Sequence, residues 1–315
     1  MELSIVVPIY NEEENVRALH ESVVAGLSGS GLDYELILVD DGSTDGSYAL
    51  LKEIAGMDKR VKVIRFRRNF GQTAAMAAGF DAAGGKVIVP MDGDLQNDPS
   101  DIPRLMEKIH EGYDVVSGWR KERRDAFINR KLPSIIANSL ISRMTGVRLH
   151  DYGCTLKAYR REVLEGVNLY GEMHRFVPAL ASQVGAKVAE IPVKHHERLH
   201  GRSKYGISRT MRVILDLITV KFLLGYSTKP IQLFGKWGVY TLFASILSGA
   251  ATLYMKIFEG MSMNRNPLLI LTAFLLFTGV QFIVLGLLGE LNARTYYEAQ
   301  GKPIYVVKEK LNFDQ

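Results

Sequence analysis

The chain has 315 residues, 23% charged and 47% hydrophobic, which is too long for one small domain and too mixed for a disordered or fibrous protein. Its single cysteine forbids an intramolecular disulfide, and the opening MELSIVVPIYNEEE sets acids where a secretory signal needs a basic region before an apolar run, so the folded part is expected in a reducing compartment. A net charge of +5 would suit nucleic acid only as a dense basic face; here the positive charge gathers beside apolar segments, which excludes nucleic acid and favours a membrane surface or phosphorylated ligands.

In chain order, short β-rich runs (LSIVVPI, YELILVD, KVIRF, KVIVPMD, YDVVSG) alternate with helical stretches such as Glu12 to Gly26 and Gly71 to Ala83. That repetition predicts an α/β domain with a mostly parallel sheet, whose ligands collect at the carboxyl ends of the strands. The first strand runs into Pro8-Ile9-Tyr10-Asn11-Glu12-Glu13 and the second into Asp40-Asp41-Gly42-Ser43-Thr44-Asp45. Either segment alone is a turn or helix cap. Two of them at one sheet edge suggest a pocket that hydrogen-bonds a base and a ribose.

The fourth run leads into Asp92-Gly93-Asp94-Leu95-Gln96, two carboxylates about a glycine at the end of an apolar strand. Buried carboxylates need a partner. Oxygen ligands without a cysteine or histidine cluster point to Mg²⁺ or Mn²⁺, which would bridge Asp92 and Asp94 to a diphosphate. Cationic segments follow: Gly118-Trp119-Arg120 with Arg123 and Arg124, then Asn129-Arg130-Lys131-Leu132-Pro133-Ser134, then Glu197 to Tyr205. Recurrent guanidinium and ammonium groups suit a phosphate-rich pair of ligands, although Arg123 and Lys131 read as solvated surface. Between them, His150-Asp151-Tyr152-Gly153-Cys154 places an acid in a tight segment. Cys154 reads as a small apolar packing residue, and His195 and His196, being adjacent on an extended chain, point to opposite faces and do not form a metal pair.

Ile207 to Tyr226 mixes Arg209, Arg212 and Lys221 with an apolar face, as an interfacial helix does. Beyond it, the 19 residues Trp237 to Met255 and the 24 residues Asn266 to Gly289 carry no charge. Either run can cross a membrane core, which needs about 20 residues. Flanking Lys236, Lys256, Arg265 and Glu290, with Trp237, Tyr240 and Tyr254 near the ends, mark a transmembrane hairpin. Lys256 and Arg265 are the basic residues of the link, against eight Lys or Arg in residues 198–236 and four after Gly289, so both termini are expected in the cytoplasm of a multi-pass protein of the inner (plasma) membrane. The expected boundaries are a catalytic domain over 1–205, juxtamembrane amphipathic helices over 206–233, two transmembrane helices over 234–291 and a cytoplasmic tail over 292–315. Ala244, Ser248, Gly286 and Gly289 are small residues of the kind that let membrane helices associate.

VPIYNEEENV, VDDGSTD, MDGDLQ, SGWR, DYGC and the R-x-x-G-x-S-K-Y at Arg198 to Tyr205, in this order and before two spans, resemble the family 2 polyprenyl-phosphate glycosyltransferases, relatives of dolichol-phosphate mannose synthase and bactoprenol glucosyltransferase. The resemblance covers nearly the whole chain. It implies a GT-A fold, a homo-oligomer such as a tetramer, and inverting transfer from a nucleotide sugar to a membrane polyprenyl (undecaprenyl) phosphate. It also implies roles by position: Pro8, Tyr10, Glu12, Asp40 and Asp41 with Asp92 at the nucleotide sugar; Asp92, Asp94 and Gln96 at the metal; Arg120, Arg130, Ser134, Arg198, Ser203 and Lys204 around the acceptor phosphate and donor diphosphate; and Asp151 near the reaction centre. Asp94, Asp151, Arg120 and Arg130 form the expected catalytic set. Gly93 stands where many relatives have alanine.

A phosphate monoester, with a second pKa near 6, is largely ionised at neutral pH, so Asp151 is expected to position substrate or to act as a weak base only. UDP-glucose is the favoured donor, with GDP-mannose, UDP-N-acetylglucosamine and a UDP-aminoarabinose as alternatives. A processive polysaccharide synthase would add a Q-x-x-R-W motif and further spans, neither of which the sequence has. A membrane-tethered binding or scaffold protein would fit loss of Asp92 or Asp94, and both are present. Two spans leave a transporter no obvious conduit.

Overall fold

Leu3–Ile9 (β1) and Tyr34–Asp40 (β2) are mostly apolar runs, buried at six of seven and at all seven positions, as strands covered on both faces are. The computed structural model describes residues 1–121, 138, 142, 145–165, 176–183, 185–196, 230–263, 266–299 and 305–313. The chain divides into two units, Met1–Val220 with Pro303–Gln315, and Lys221–Lys302.

In the first unit β1 and β2 are followed by Val61–Phe66 (β3), Val87–Pro90 (β4), Val115–Trp119 (β5), Lys157–Arg160 (β6), Val188–Pro192 (β7) and Val307–Leu311 (β8), giving the sheet order β7-β5-β6-β4-β1-β2-β3-β8. The pairs β1–β2, β1–β4, β2–β3 and β5–β7 are parallel; β4–β6, β5–β6 and β3–β8 are antiparallel. The mostly parallel α/β sheet expected from the sequence is therefore present.

Val16–Leu27 (α1) buries Val16, Leu19, Val23 and Leu27, the spacing of one helical face. Ser47–Met57 (α2) buries Leu51, Ile54 and Ala55. Gln72–Ala82 (α3) has small residues where it meets β1: a Cβ on Gly79 would stand 2.2 Å from Val6 Cγ1, so glycine sets how closely the helix approaches the strand. Ile102–His110 (α4) buries Ile102, Leu105, Met106 and Ile109. Short helices Arg161–Leu164 (α5) and Val177–Gln183 (α6) complete the described part of this unit.

The second unit is a pair of long helices, Pro230–Phe258 (α7) and Pro267–Ala299 (α8). Within them, Leu233–Phe258 and Pro267–Gly289 are long and apolar enough to cross a membrane, and only 11% and 6% of their most apolar stretches are buried. Ile270 and Phe277 are about three-quarters exposed, the reverse of a soluble core. The two helices approach at glycine, since a Cβ on Gly238 would meet Gly279 O at 2.9 Å. Thr272 Oγ1 donates to Ser248 Oγ at 2.9 Å and Ser245 Oγ donates to Thr272 O at 2.9 Å. Ser248, expected from sequence to serve association between copies, is engaged inside this hairpin.

Within the segment 292–315, which the sequence reads as a cytoplasmic tail, Val307–Leu311 forms β8 at the sheet edge beside β3. Tyr305 stacks on Phe66 at 5.2 Å between centroids, and Asn312 Nδ2 donates to Ala55 O at 2.7 Å and to Val61 O at 2.8 Å. The stretch expected as an amphipathic helix, 207–226, lies outside the described residues.

Candidate active site

Parallel pairing of β2, β1 and β4 brings their carboxyl ends to one edge, with Ile9 opposite Asp40 and Val6 opposite Pro90. The loops after these strands therefore neighbour one another. At the β1 loop Asn11 adopts a left-handed φ of 52°; its N–H donates to Ser43 Oγ at 3.0 Å, and its Oδ1 accepts from Thr44 N at 2.9 Å. Glu12 N donates to Ser47 Oγ at 2.9 Å, and Glu12 Oε2 accepts from Asn15 Nδ2 at 2.7 Å. Gly42 turns the β2 loop at φ 69°, where a Cβ would lie 2.4 Å from the Arg68 backbone. Pro8 and Asp40, near the ends of β1 and β2, and Tyr10 and Glu12, in the loop after β1, thus lie where two loops are bonded to each other.

Asp40 is fully buried; its Oδ1 accepts from Ser43 N at 2.9 Å. Asp41, also expected among the nucleotide contacts, is tied to the segment before α3. Both its oxygens accept backbone N–H groups, from Phe70 at 2.7 Å and Gly71 at 2.9 Å, and it is 3% exposed. Burial pushes its carboxyl pKa up, only partly offset by those N–H groups. Asp41 anchors the segment that opens α3, and so helps set the place of Gln72.

Gln72 then reaches the acidic motif: its Nε2 donates to Asp92 Oδ1 at 2.9 Å, while Thr155 Oγ1 donates to Asp92 Oδ2 at 2.7 Å. Asp92 N donates to Asn97 Oδ1 at 3.0 Å. Asp94 is 9% exposed and accepts from Gln96 N at 3.2 Å across a turn in which Leu95 takes φ 63°. Gln96 is tied to the His195–His196 segment, its O accepting from His196 N at 2.9 Å and its Nε2 donating to His196 O at 3.4 Å.

Burial, and next the charge of Asp94, push the Asp92 carboxyl above the usual range. A buried carboxyl whose proton affinity is raised by burial and a neighbouring carboxylate is relieved by a cation. Among the described residues no three His, Cys, Asp or Glu side chains converge on a metal position. Among the described residues Asp92 and Asp94 offer a pair of carboxylates, which suits a hard ion that takes further ligands from phosphate oxygens and water, as Mg²⁺ and Mn²⁺ do. Asp92 and Asp94 fit that group.

Beside this motif, Arg120 grips Asp151 with two bonds, Nε to Oδ2 at 2.7 Å and Nη2 to Oδ1 at 2.9 Å, with side chains 14% and 9% exposed. Burial alone would push the Asp151 carboxyl up, but the Arg120 bonds and charge hold it below its ordinary value. Burial likewise opposes the Arg120 charge, and Asp151 more than offsets it, raising the Arg120 pKa. Glu190 accepts from Asp151 N at 3.1 Å and His150 N at 2.9 Å, and His150 stacks on Trp119 at 4.4 Å. Asp151 is thus a carboxylate fixed in place, with its proton affinity lowered by Arg120.

Sequence reasoning missed Gln72, Thr155, Asn97, Glu190 and Lys157. Lys157 is 2% exposed and donates to Tyr152 O at 3.2 Å and to Cys154 O, with burial lowering its pKa. It holds the turn that delivers Thr155 to Asp92. Cys154 is buried, its thiol pushed up to about 11 by burial, in keeping with a packing role. Arg130, Ser134, Arg198, Ser203 and Lys204 lie outside the described residues, as do Arg123, Arg124 and Lys131.

A mostly parallel sheet with acidic loops gathered at the carboxyl edge of β1, β2 and β4 is the GT-A architecture, the class of transferases that use nucleotide sugars. A family model described as glycosyl transferase family 2 matches residues 4–167. Dodecaprenyl-phosphate galacturonate synthase of Rhizobium johnstonii is 46% identical over 98% of this chain and 93% of its own length. An undecaprenyl-phosphate 4-deoxy-4-formamido-L-arabinose transferase of Edwardsiella ictaluri is 36% identical over 99% of this chain and 95% of its own. Among solved structures, glucosyl-3-phosphoglycerate synthase from Mycobacterium tuberculosis with Mn²⁺, uridine diphosphate and phosphoglyceric acid has a TM-score of 0.55 at 19% identity, covering 71% of this chain and 78% of that one. The chain belongs to glycosyl transferase family 2 and is a glycosyltransferase of GT-A fold.

Proposed function

We propose that the protein transfers a sugar, with inversion, from a nucleotide sugar to the phosphate of a polyprenyl phosphate, giving a polyprenyl-phosphate monosaccharide for cell-envelope glycan or lipid modification. The observation that carries this reading is the Asp92–Asp94 pair, braced by Gln72 and Thr155 beside the Arg120–Asp151 clamp, in a chain with two exposed apolar helices. The names of the two relatives agree with a polyprenyl-phosphate acceptor.

In this reading Pro8, Tyr10, Glu12 and Asp40 bind the nucleoside. A Mg²⁺ or Mn²⁺ ion held by Asp92 and Asp94, with Gln96 beside them, would stabilise charge on the leaving diphosphate. Arg120, held in one orientation by Asp151, aligns the phosphates together with Arg130, Ser134, Arg198, Ser203 and Lys204. The acceptor phosphate needs no strong base, in keeping with an Asp151 whose proton affinity is lowered.

Pairing of β8 with β3 supports the proposed topology. The chain leaves the catalytic unit before α7 and rejoins its sheet after α8, which agrees with an even number of crossings. With the basic residues concentrated outside the link, both termini are assigned to the cytoplasmic side of the inner membrane.

The donor is assigned as a UDP-sugar. UDP-glucose is the expectation from sequence, and the relatives' names bring galacturonate and 4-deoxy-4-formamido-L-arabinose beside glucose as the sugar, to be offered as their UDP derivatives. The test is transfer of radiolabel from these donors, GDP-mannose and UDP-N-acetylglucosamine into an organic-phase product by purified protein with polyprenyl phosphate, with and without a chelator. Chelator-sensitive product from one donor is expected. Folded protein that yields no product from any donor would favour the tethered binding-protein reading instead.

A further inference from the structure

The strand that returns from the membrane helices joins a row of charges ending at the proposed nucleoside contact. Asp40 on β2, Arg65 on β3 and Glu309 on β8 are successive register partners, so the three occupy one face of the sheet in a line. Tyr48 of α2 lies over that line. Its hydroxyl donates to Glu309 Oε2 at 2.7 Å, and the Arg65 guanidinium sits 3.8 Å from its ring centroid. Burial, and then the Glu309 bond, push the Tyr48 hydroxyl up to about 12, so Tyr48 stays a donor to Glu309 at every physiological pH.

At the other end Arg65 Nε stands 3.5 Å from Asp40 Oδ2, an ion-pair distance with no hydrogen bond made. Asp40 is fully buried and its Oδ1 is already bonded to Ser43 N. A buried carboxylate oxygen without a hydrogen-bond donor is uncommon and costly. A guanidinium that moved a few tenths of an ångström would bond to it and compete with a ligand donor for it. Arg65 is instead stacked on the Tyr48 ring, whose hydroxyl is bonded to Glu309.

We infer that Glu309 is a positioning residue for the donor nucleotide: through Tyr48 and Arg65 it keeps Asp40 Oδ2 able to accept a hydrogen bond from the nucleoside. The inference rests on the assignment of Asp40 to the nucleoside. It makes donor affinity depend on docking of the segment that follows the membrane helices.

The experiment uses full-length protein in detergent, titrated calorimetrically with UDP and with GDP in the presence of Mn²⁺, alongside donor KM and kcat. Glu309→Ala is expected to weaken binding of whichever nucleotide the wild type holds by roughly tenfold, the worth of one hydrogen bond to a charged group. Donor KM rises with it while kcat hardly changes. Glu309→Gln, which can still accept from Tyr48, restores the affinity, and Glu309→Ala adds no loss in an Arg65→Met background. Should Glu309→Ala undock β8 and lower the melting temperature, Tyr48→Phe keeps ring and strand and is expected to lose affinity in the same direction. Wild-type affinity in both Glu309→Ala and Tyr48→Phe, with affinity lost in Asp40→Asn, overturns this inference alone. Wild-type affinity in Asp40→Asn overturns the nucleoside assignment beneath it.

Discussion

Removing the Asp151 carboxylate tests whether the Arg120 pair positions substrate or merely holds the fold. The pair is bidentate and nearly enclosed, with side chains 14% and 9% exposed, so Asp151→Ala strands a buried guanidinium. Breaking a buried pair from one side costs about 3–5 kcal/mol. At about 2–4 °C per kcal/mol for a domain of this size, even the lower figure lowers the melting temperature by about 6–12 °C. Because the Asp151 pKa is held below its unfolded value, its contribution is present above the ordinary carboxylate pKa of about 3.9 and is lost as pH falls through the lower folded value. The deficit of the variant should thus be constant between pH 6 and 8. Replacing both partners, Arg120→Met with Asp151→Leu, removes the stranded charge and is expected to recover most of the melting temperature. It should not recover turnover, which falls about a hundredfold or more when a phosphate-aligning donor is lost. Scanning fluorimetry of full-length protein in detergent, with the transfer assay beside it, reads both quantities. A double variant that regains activity together with stability would refute the positioning role of Arg120.

Asp94→Asn is expected to leave the melting temperature near that of the wild type and to abolish most turnover; full activity in that variant would remove the metal assignment. The raised Asp92 pKa gives a second prediction. A carboxyl whose folded pKa is raised favours the fold below its unfolded pKa and loses that contribution as pH rises through the folded value, so metal-free protein gains relative stability on acidification. The rise in melting temperature produced by Mn²⁺ should accordingly be largest near pH 7 and shrink toward pH 5; a shift independent of pH would contradict it. Cys154 is buried, so a Met261→Cys variant in the link between α7 and α8 supplies the accessible thiol. It should react with an impermeant maleimide added outside spheroplasts, and protection there would overturn the topology. Gly42→Ala forces a side chain into φ 69° and against the Arg68 backbone, and is expected to cost about 2 kcal/mol or more in a melting experiment; an unchanged melting temperature would refute the loop geometry.

Much of the fold and of the acidic edge is legible in the amino-acid sequence, because the informative residues follow uninterrupted apolar strands. KVIVPMD ends at the acidic motif for the same reason that β4 is buried throughout: a central parallel strand must be apolar until it leaves the sheet. The loop-holding bonds of Asp41 are not legible in the sequence, because composition does not tell an acid that faces a ligand from one that also ties down a loop through two backbone N–H groups. Gln72 and Thr155 carry no signal, since a glutamine opening a helix and a threonine before a strand are ordinary residues until the fold brings them to Asp92. β8 reads as a tail because its alternation, Val307, Glu309 and Leu311 against Lys308 and Lys310, spans only five residues and is outweighed by charge. Its partner β3 lies more than 240 residues earlier in the chain, a pairing no local pattern reports.

The most direct test of the central claim is ³¹P NMR of the lipid product formed by purified protein from its preferred donor and polyprenyl phosphate. Transfer of the sugar alone predicts one phosphodiester resonance, with the nucleoside diphosphate released in equal amount. A lipid diphosphate, with two coupled resonances and release of nucleoside monophosphate, would contradict the account.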